Sequence, residues 1–522
     1  MHTKENSAAS DGMHSGKKYR VVIAGGGTAG WVAAAALSKK LGALVDITLV
    51  ESEAIGTVGV GEATIPPMRV FHQLLGIDER EFMRATSATF KLGIEFENWG
   101  QQGERYIHAF GKNGRESWLA EFHHFWLRGL ERGIDTGIGD YCLELQAAEQ
   151  GRFGIGPNSN INYAYHLDAG LYAKFLRSFS EKLGVQRVEG KIAGVEQDKD
   201  SGHIEALRLE SGQCIAGDLF IDCTGFRGLL IEQTLHSGYE DWSHWLPCDS
   251  AVALQTESTG AMAPYTRSMA RESGWQWRIP LQHRTGNGLV YCSGHLSDDD
   301  ARAQLLENLA GKPLTDPRLI RFRTGRRRKA WHKNCIALGL ASGFIEPLES
   351  TSIHLVITGV TRLLQNFPVD GISPATVDYY NRETRAELEK IRDFIVLHYH
   401  LTRRNDSAFW RYCADMEIPQ TLRERMDLFR ESGRAYQAEG ELFRVDSWVQ
   451  VMIGQGLMPR SHHPLPNMMS DRELQGFLAG LRENIQRAVA QLPAHEAFVR
   501  DYCPMARAGS GMEAGAAESL AK

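Results

Sequence analysis

Tyr19-Arg20-Val21-Val22-Ile23-Ala24-Gly25-Gly26-Gly27-Thr28-Ala29-Gly30-Trp31 decides the fold of this 522-residue chain. A run with strand character enters a glycine turn, and the turn leads straight into the Ala-rich stretch Gly30 to Leu41, which reads as a helix. Val45 to Val50 follows as a second strand, completing a βαβ unit. Gly25, Gly27 and Gly30 form G-x-G-x-x-G in the strand-turn-helix setting that gives the pattern meaning. Gly25 permits the tight turn. Gly27 lets backbone approach a pyrophosphate at the helix N-terminus, where unpaired N–H groups and the helix dipole favour anions, and Gly30 allows close helix-to-strand packing. Thr28 and Ala29 belong to the same predicted site. Glu51 ends the second strand 21 residues after Gly30, where an acid usually accepts hydrogen bonds from an adenosine ribose.

The turn alone leaves FAD and NAD open. Further along, Leu219-Phe220-Ile221-Asp222-Cys223-Thr224-Gly225-Phe226-Arg227 resembles the later cofactor-contacting strand of glutathione-reductase-like flavoproteins, which favours FAD and marks Asp222 as a cofactor contact. No second G-x-G-x-x-G appears for a nicotinamide nucleotide, so electrons for a flavin are expected from another protein. Strand-like runs recur at Gln186 to Val195, Ile204 to Leu209 and Leu219 to Ile221; Trp275 to Pro280 and Gly288 to Ser293 look like a hairpin around Thr285 to Gly288. From about residue 376 the spacing turns helical, at Tyr379 to His400, Ser407 to Met416, Gln420 to Glu431 and Asp471 to Gln491. The predicted fold is α/β, a glutathione-reductase-like FAD-binding fold with an added, mostly helical C-terminal substrate region. The expected organisation is a tail over 1–18, an FAD-binding module with interleaved β-sheet substrate segments over 19–375, a helical substrate-side region over 376–505 and a second tail over 506–522.

Composition excludes several other classes. A hydrophobic share of 43% with 23% charged residues is that of an ordinary folded protein rather than a disordered or fibrous one. A net charge of −6 gives no general attraction to nucleic acid or to an anionic membrane. The basic run Arg323 to Lys329 has no recognition motif beside it and reads as a solvated face or a contact to cofactor phosphate. Eight cysteines include no C-x-x-C pair, so no zinc site or disulfide framework is suggested and a reducing cytosol fits. With no signal-like N-terminal apolar stretch and no apolar run of about 18 residues, the expected location is cytoplasmic.

Gly274-Trp275-Gln276-Trp277-Arg278-Ile279-Pro280 carries W-x-W-x-I-P. Alone, two alternate Trp before a Pro read as a core-facing strand. Together with GGGTAGW at 25–31, the motif makes the chain resemble the flavin-dependent tryptophan halogenase family. The resemblance continues through Val58 to Pro66, Phe90-Lys91, His108 to Phe110, Asp222 to Gly228, Gly339 to Thr351 and Ser447-Trp448, and so covers roughly residues 19 to 465. Flavin hydroxylases of the same fold usually have a Gly-Asp pair after the late strand. Here that place reads Gly339-Leu340, followed by Glu346-Pro347-Leu348-Glu349-Ser350-Thr351, which looks like the halogenase version.

The resemblance implies an enzyme that uses FAD as FADH2, with O2 and a halide ion, chloride or bromide, and takes its FADH2 from a separate flavin reductase. Hypohalous acid made at the flavin would be held by Lys91 and delivered to one carbon of a small indole-type aromatic. Burial that lowers the lysine pKa would also open its amine to N-halogenation. Glu349 is the family match for the carboxylate that stabilises the cationic ring intermediate and removes its proton, with Glu346 as rival. Val60 and Ser350 map to the flavin side, the Thr351 and Ser352 main-chain N–H groups to the halide, and His108, Phe110 and Trp448 to the substrate. Family members often have Gly in place of Ser352, which puts that halide contact in doubt.

Enzymes selective for free tryptophan hold its amino acid part with a tyrosine- and acid-rich lid. The stretch Phe443 to Val451 shows no Tyr pair, so free indole or a larger indole compound stands beside tryptophan as substrate. The rival readings are an aromatic monooxygenase and a catalytically inactive flavin-binding protein. Oligomeric state, regiochemistry and halide preference have no local code.

Overall fold

The computed structural model describes residues 18–54, 61–115, 119–134, 136–156 and 160–504. Its centre is a six-stranded sheet in the order 331–332, 335–337, 219–222, 19–24, 45–51, 186–189. All its pairs are parallel except the antiparallel pair at the 331–337 edge. The first strand, Tyr19–Ala24, is central because Val21, Val22, Ile23 and Ala24 are all buried, the continuous apolar run expected of a parallel strand covered on both faces. The first helix, Thr28–Leu41, buries Trp31 and the whole run from Val32 to Leu37. Four consecutive alanines, 33–36, let neighbouring elements pack close to its axis.

A seven-stranded sheet runs 318–321, 250–256, 285–291, 274–280, 266–271, 93–97, 105–109, antiparallel except for the parallel pairing of Thr266–Arg271 with Gly93–Glu97. A small antiparallel sheet joins Gly61–Ala63 with Ala164–Asp168 and Thr89–Lys91. From Ser352 onward the regular elements among the described residues are helices, the longest being Pro374–His400. No helix among the described residues is long and apolar enough to cross a membrane.

Several local expectations are corrected. The glycines at 286 and 288 do not make a turn: Thr285–Tyr291 is one strand, and Pro280 already pairs with Thr285. They are small for packing reasons. A Cβ on Gly288 would lie 2.1 Å from the Trp277 ring, and one on Gly286 would lie 3.1 Å from the Gly61 nitrogen. The run 186–195 is broken into Gln186–Glu189 and Ile192–Gln197. The basic run is neither a solvated face nor a phosphate contact at its centre. Arg326 pairs with Glu240 at 2.5 Å and Arg327 with Glu232 at 2.9 Å, both buried arginines satisfied within the protein.

Candidate active site

A cavity of about 1300 Å³ opens along the C-terminal ends of the central strands. Small-molecule sites usually fall at about 300–1000 Å³, so this one suits a ligand of dinucleotide size. Its wall includes Gly25, Gly26, Gly27, Thr28 and Ala29 at one side and Ser350 and Ser352 at another. Gly25 has φ +108°, and its N–H donates to the Val50 carbonyl at 2.8 Å. Nothing lies within 4 Å of a Cβ built on Gly27, so the backbone there faces open space as a phosphate cradle requires. A Cβ on Gly30 would sit 1.9 Å from the Gly25 oxygen. Gly30→Ala is therefore expected to push the first helix off the glycine turn and abolish FAD retention; protein that still elutes with bound flavin would contradict this.

Glu51 also faces the cavity, and Arg187 donates to its Oε1 at 2.5 Å. The residues present thus fit a flavin dinucleotide: a glycine cradle, a helix N-terminus and a carboxylate on one continuous wall. Val60 lies outside the described residues. Asp222 is placed differently from the expectation that it meets the cofactor. Its Oδ1 accepts from the Thr224 N–H and hydroxyl, its Oδ2 from the N–H groups of Leu230 and Ile231, and it is fully buried off the cavity wall. It ties down the turn whose residues Cys223 to Arg227 line the cavity. Asp222→Ala leaves those donors without their acceptor and is expected to destabilise the fold by about 3 kcal/mol, read as a fall in Tm. An unchanged Tm would remove that role.

Lys91 ends the short strand Thr89–Lys91 and is fully buried. Its Nζ donates to the Thr64 carbonyl at 3.1 Å and to Ser350 Oγ at 2.7 Å, and lies 5.3 Å from the centre of the Phe110 ring. Desolvation pulls its pKa down to about 7, against the opposing charge of Glu349. The strand is held from its far side by a helix near the end of the described chain, His495–Tyr502. The Phe90 N–H donates to His495 Nε2 at 3.2 Å, so the ring proton sits on Nδ1, which donates to the Met262 carbonyl at 2.8 Å. Ser350 links the two sides: its backbone has φ +59°, a left-handed conformation that L side chains rarely adopt, while its hydroxyl meets Lys91 and the residue borders the cavity.

Glu349 is fully buried. His108 Nδ1 is 2.8 Å from its Oε2 and His398 Nε2 is 2.9 Å from its Oε1. Burial alone would raise this carboxyl, but the two histidines outweigh it and bring it down to about 2. Glu346 faces another neighbourhood, beside Trp275 and Tyr399. Between the two acids, the geometry puts Glu349 beside the lysine. Ser352 opens the helix Ser352–Gln365 on the cavity wall with ordinary helical geometry, so having Ser there brings no backbone strain. Thr351 precedes it, fully buried and making no side-chain cap, which leaves the first N–H groups of that helix without an intrahelical acceptor.

Beyond Glu349 the buried neighbours of His108 are aromatic. His108 lies 5.5 Å from Phe394 and 6.1 Å from Phe443, and those two rings stack at 3.8 Å. Trp448 does not present an open face. It is buried with Phe394 edge-on at 4.8 Å and the Arg425 guanidinium 3.9 Å above its ring, and Arg425 is itself paired with buried Glu441 at 3.0 Å. His398, Phe394 and Thr64 were not singled out by the sequence. Phe394 and His398 are four apart on one face of Pro374–His400, where a lone His among apolar residues reads as core. Thr64 contributes only a carbonyl, which carries no residue-type signal.

Residues 20–471 match the profile of the tryptophan halogenase family. The chain is 36% identical to tryptophan 7-halogenase RebH of Lentzea aerocolonigenes, over 93% of this chain and 99% of that one. Among solved structures it is similar to Xcc4156, a flavin-dependent halogenase from Xanthomonas campestris, at 58% identity and TM-score 0.92, covering 94% of this chain and 99% of that one. It is also similar to BrvH, a flavin-dependent halogenase from Brevundimonas sp. BAL3, at 45% identity and TM-score 0.90, covering 94% and 100%.

Proposed function

Because the chain belongs to the tryptophan halogenase family, we propose that this flavin-dependent enzyme halogenates an indole ring, with Lys91 handling the halogen and Glu349 the ring proton. One observation carries the reading: a fully buried lysine hydrogen-bonds Ser350 on the cavity wall, and the preceding residue, Glu349, is a buried carboxylate between two imidazoles. Reduced FAD, were it bound here with O2 and chloride or bromide, would supply hypohalous acid. The glycine turn and Glu51 would hold the nucleotide end, while the N–H groups opening the helix Ser352–Gln365, which Thr351 does not cap, would offer the halide an anion site.

Lys91 takes the halogen as its amine. Burial favours that form, and about 7 is low enough for much of the lysine to be unprotonated near neutrality. Glu349, ionised throughout the neutral range, stabilises the positive charge that develops on the attacked ring and accepts its proton. Phe110, His108 and the Phe394–Phe443 pair give the ring apolar walls, and the Arg425–Glu441 pair neutralises its own charge. These features support free indole or a larger non-zwitterionic indole over free tryptophan. A separate flavin reductase supplies FADH2.

The test is mass spectrometry of indole and tryptophan incubated with FAD, a flavin reductase, NADH and either halide. Product carrying the halogen isotope pattern, more from indole than from tryptophan, is expected. A hydroxylated product would replace the halogenase reading with a monooxygenase one.

A further inference from the structure

Glu346 is a fully buried acid that the chemistry above leaves idle. Its Oε2 accepts from the Trp275 indole N–H at 2.9 Å and from the Tyr399 hydroxyl at 2.6 Å, while Oε1 has no hydrogen-bond partner among the described residues. Trp275 opens W-x-W-x-I-P and borders the large cavity, together with Trp277 and Leu348. One hydrogen bond therefore joins two motifs 71 residues apart and aims a large ring at the flavin site. The Trp275 ring otherwise packs in a buried apolar cluster, with Trp277 at 6.0 Å and Trp99 at 6.3 Å, and the bond to Glu346 is the only side-chain hydrogen bond to its indole N–H among the described residues.

We propose that Glu346 is a positioning residue acting through the Trp275 indole N–H, fixing that ring as a wall of the flavin cavity so that oxidising equivalents reach Lys91 instead of leaving as hydrogen peroxide. This rests on the halogenase reading. In the productive course FADH2, O2, a halide and a proton give FAD, hypohalous acid and water. In the wasteful one FADH2 and O2 give FAD and hydrogen peroxide. A wall that excludes water favours the first.

The titratable groups facing Glu346 are Tyr399, Cys248, Cys292 and Cys413. Burial raises the phenol and all three thiols, so each stays neutral near pH 7, and no cation is among them. Desolvation pushes Glu346 itself up to about 7. Its bond to Trp275 is thus charge-assisted above that pH and an ordinary one below it.

The experiment uses the FAD-loaded full chain with nitrogen-labelled tryptophan, the Trp275 indole resonance being identified by its absence in Trp275→Phe. In the wild type that resonance is expected to shift with pH near 7, and in Glu346→Gln, which keeps the acceptor but cannot titrate, it stays put. Halogenated product per FADH2 oxidised is expected to match the wild type in Glu346→Gln and to fall about fivefold in Glu346→Leu, with FAD still bound. A wild-type resonance flat across pH 7, or a Glu346→Leu yield equal to wild type, overturns the proposal. Should Glu346→Leu fail to fold, the resonance in wild type and Glu346→Gln decides. Absence of halogenated product from the wild type, with the resonance still titrating, strikes the halogenase reading and leaves the Glu346–Trp275 link standing.

Discussion

Lys91→Ala is expected to give no halogenated product while it still binds FAD and still converts FADH2 and O2 to hydrogen peroxide. Lys91 is not itself in the described cavity lining and touches it through Ser350, so removing its amine leaves the glycine turn in place. Loss of flavin oxidation in the variant would show that Lys91 acts at the flavin itself. The lysine also sets a pH signature. With its pKa drawn down to about 7, product formation should rise as pH climbs through 7 while flavin oxidation does not follow. A falling profile would assign the chemistry to the ammonium form. Stability moves in the same frame. A lysine whose folded pKa lies below its unfolded value has stability that is present at high pH and lost as pH falls through the folded value. Lys91→Met is accordingly expected to raise Tm, more at pH about 6 than at pH about 10, even though it leaves the Thr64 carbonyl without its donor.

Glu349→Gln should slow product formation by at least about a hundredfold, the range typical for loss of a positioned acid–base group. The amide keeps the shape and one acceptor for His108 but can neither carry the negative charge nor take a ring proton. FAD binding should be unchanged, and FADH2 consumption should persist with peroxide replacing product. Because Glu349 ionises at about 2, it adds no bend of its own to the neutral pH profile. A variant within about tenfold of wild type would place the ring's proton acceptor elsewhere, with His108 the first alternative.

The parts of the molecule legible in its sequence are those whose physics is local. The glycine turn, the first helix and Glu51 lie within one βαβ unit, and their roles follow from backbone geometry over about thirty residues. The groups proposed for the chemistry, and the contacts that gather them, are another matter. Lys91 and Ser350 are 259 positions apart, and no periodicity spans such a distance, so only likeness to a family could pair them. Local reading also failed where one residue type has two uses. Glycine serves turns and close packing alike, and Gly286 and Gly288 serve the second, under Gly61 and the Trp277 ring. Asp222 at a strand end looks the same whether it meets a ligand or, as here, four donors of its own loop. The arginines of 323–329 look solvated in sequence because their partners Glu232 and Glu240 come from distant segments. His398 was hidden by its helix, where an imidazole aimed at a carboxylate and one packed in a core occupy the same face.

The clamp on the lysine strand also orders events during synthesis. Phe90 and the residue that receives its N–H, His495, are 405 positions apart, whereas the lining of the flavin cavity is finished by Leu388. A chain emerging from the ribosome therefore gains the described lining of this cavity before it gains the helix that steadies the lysine strand. A chain stopped short of His495 would carry the described cavity lining with the lysine strand unclamped.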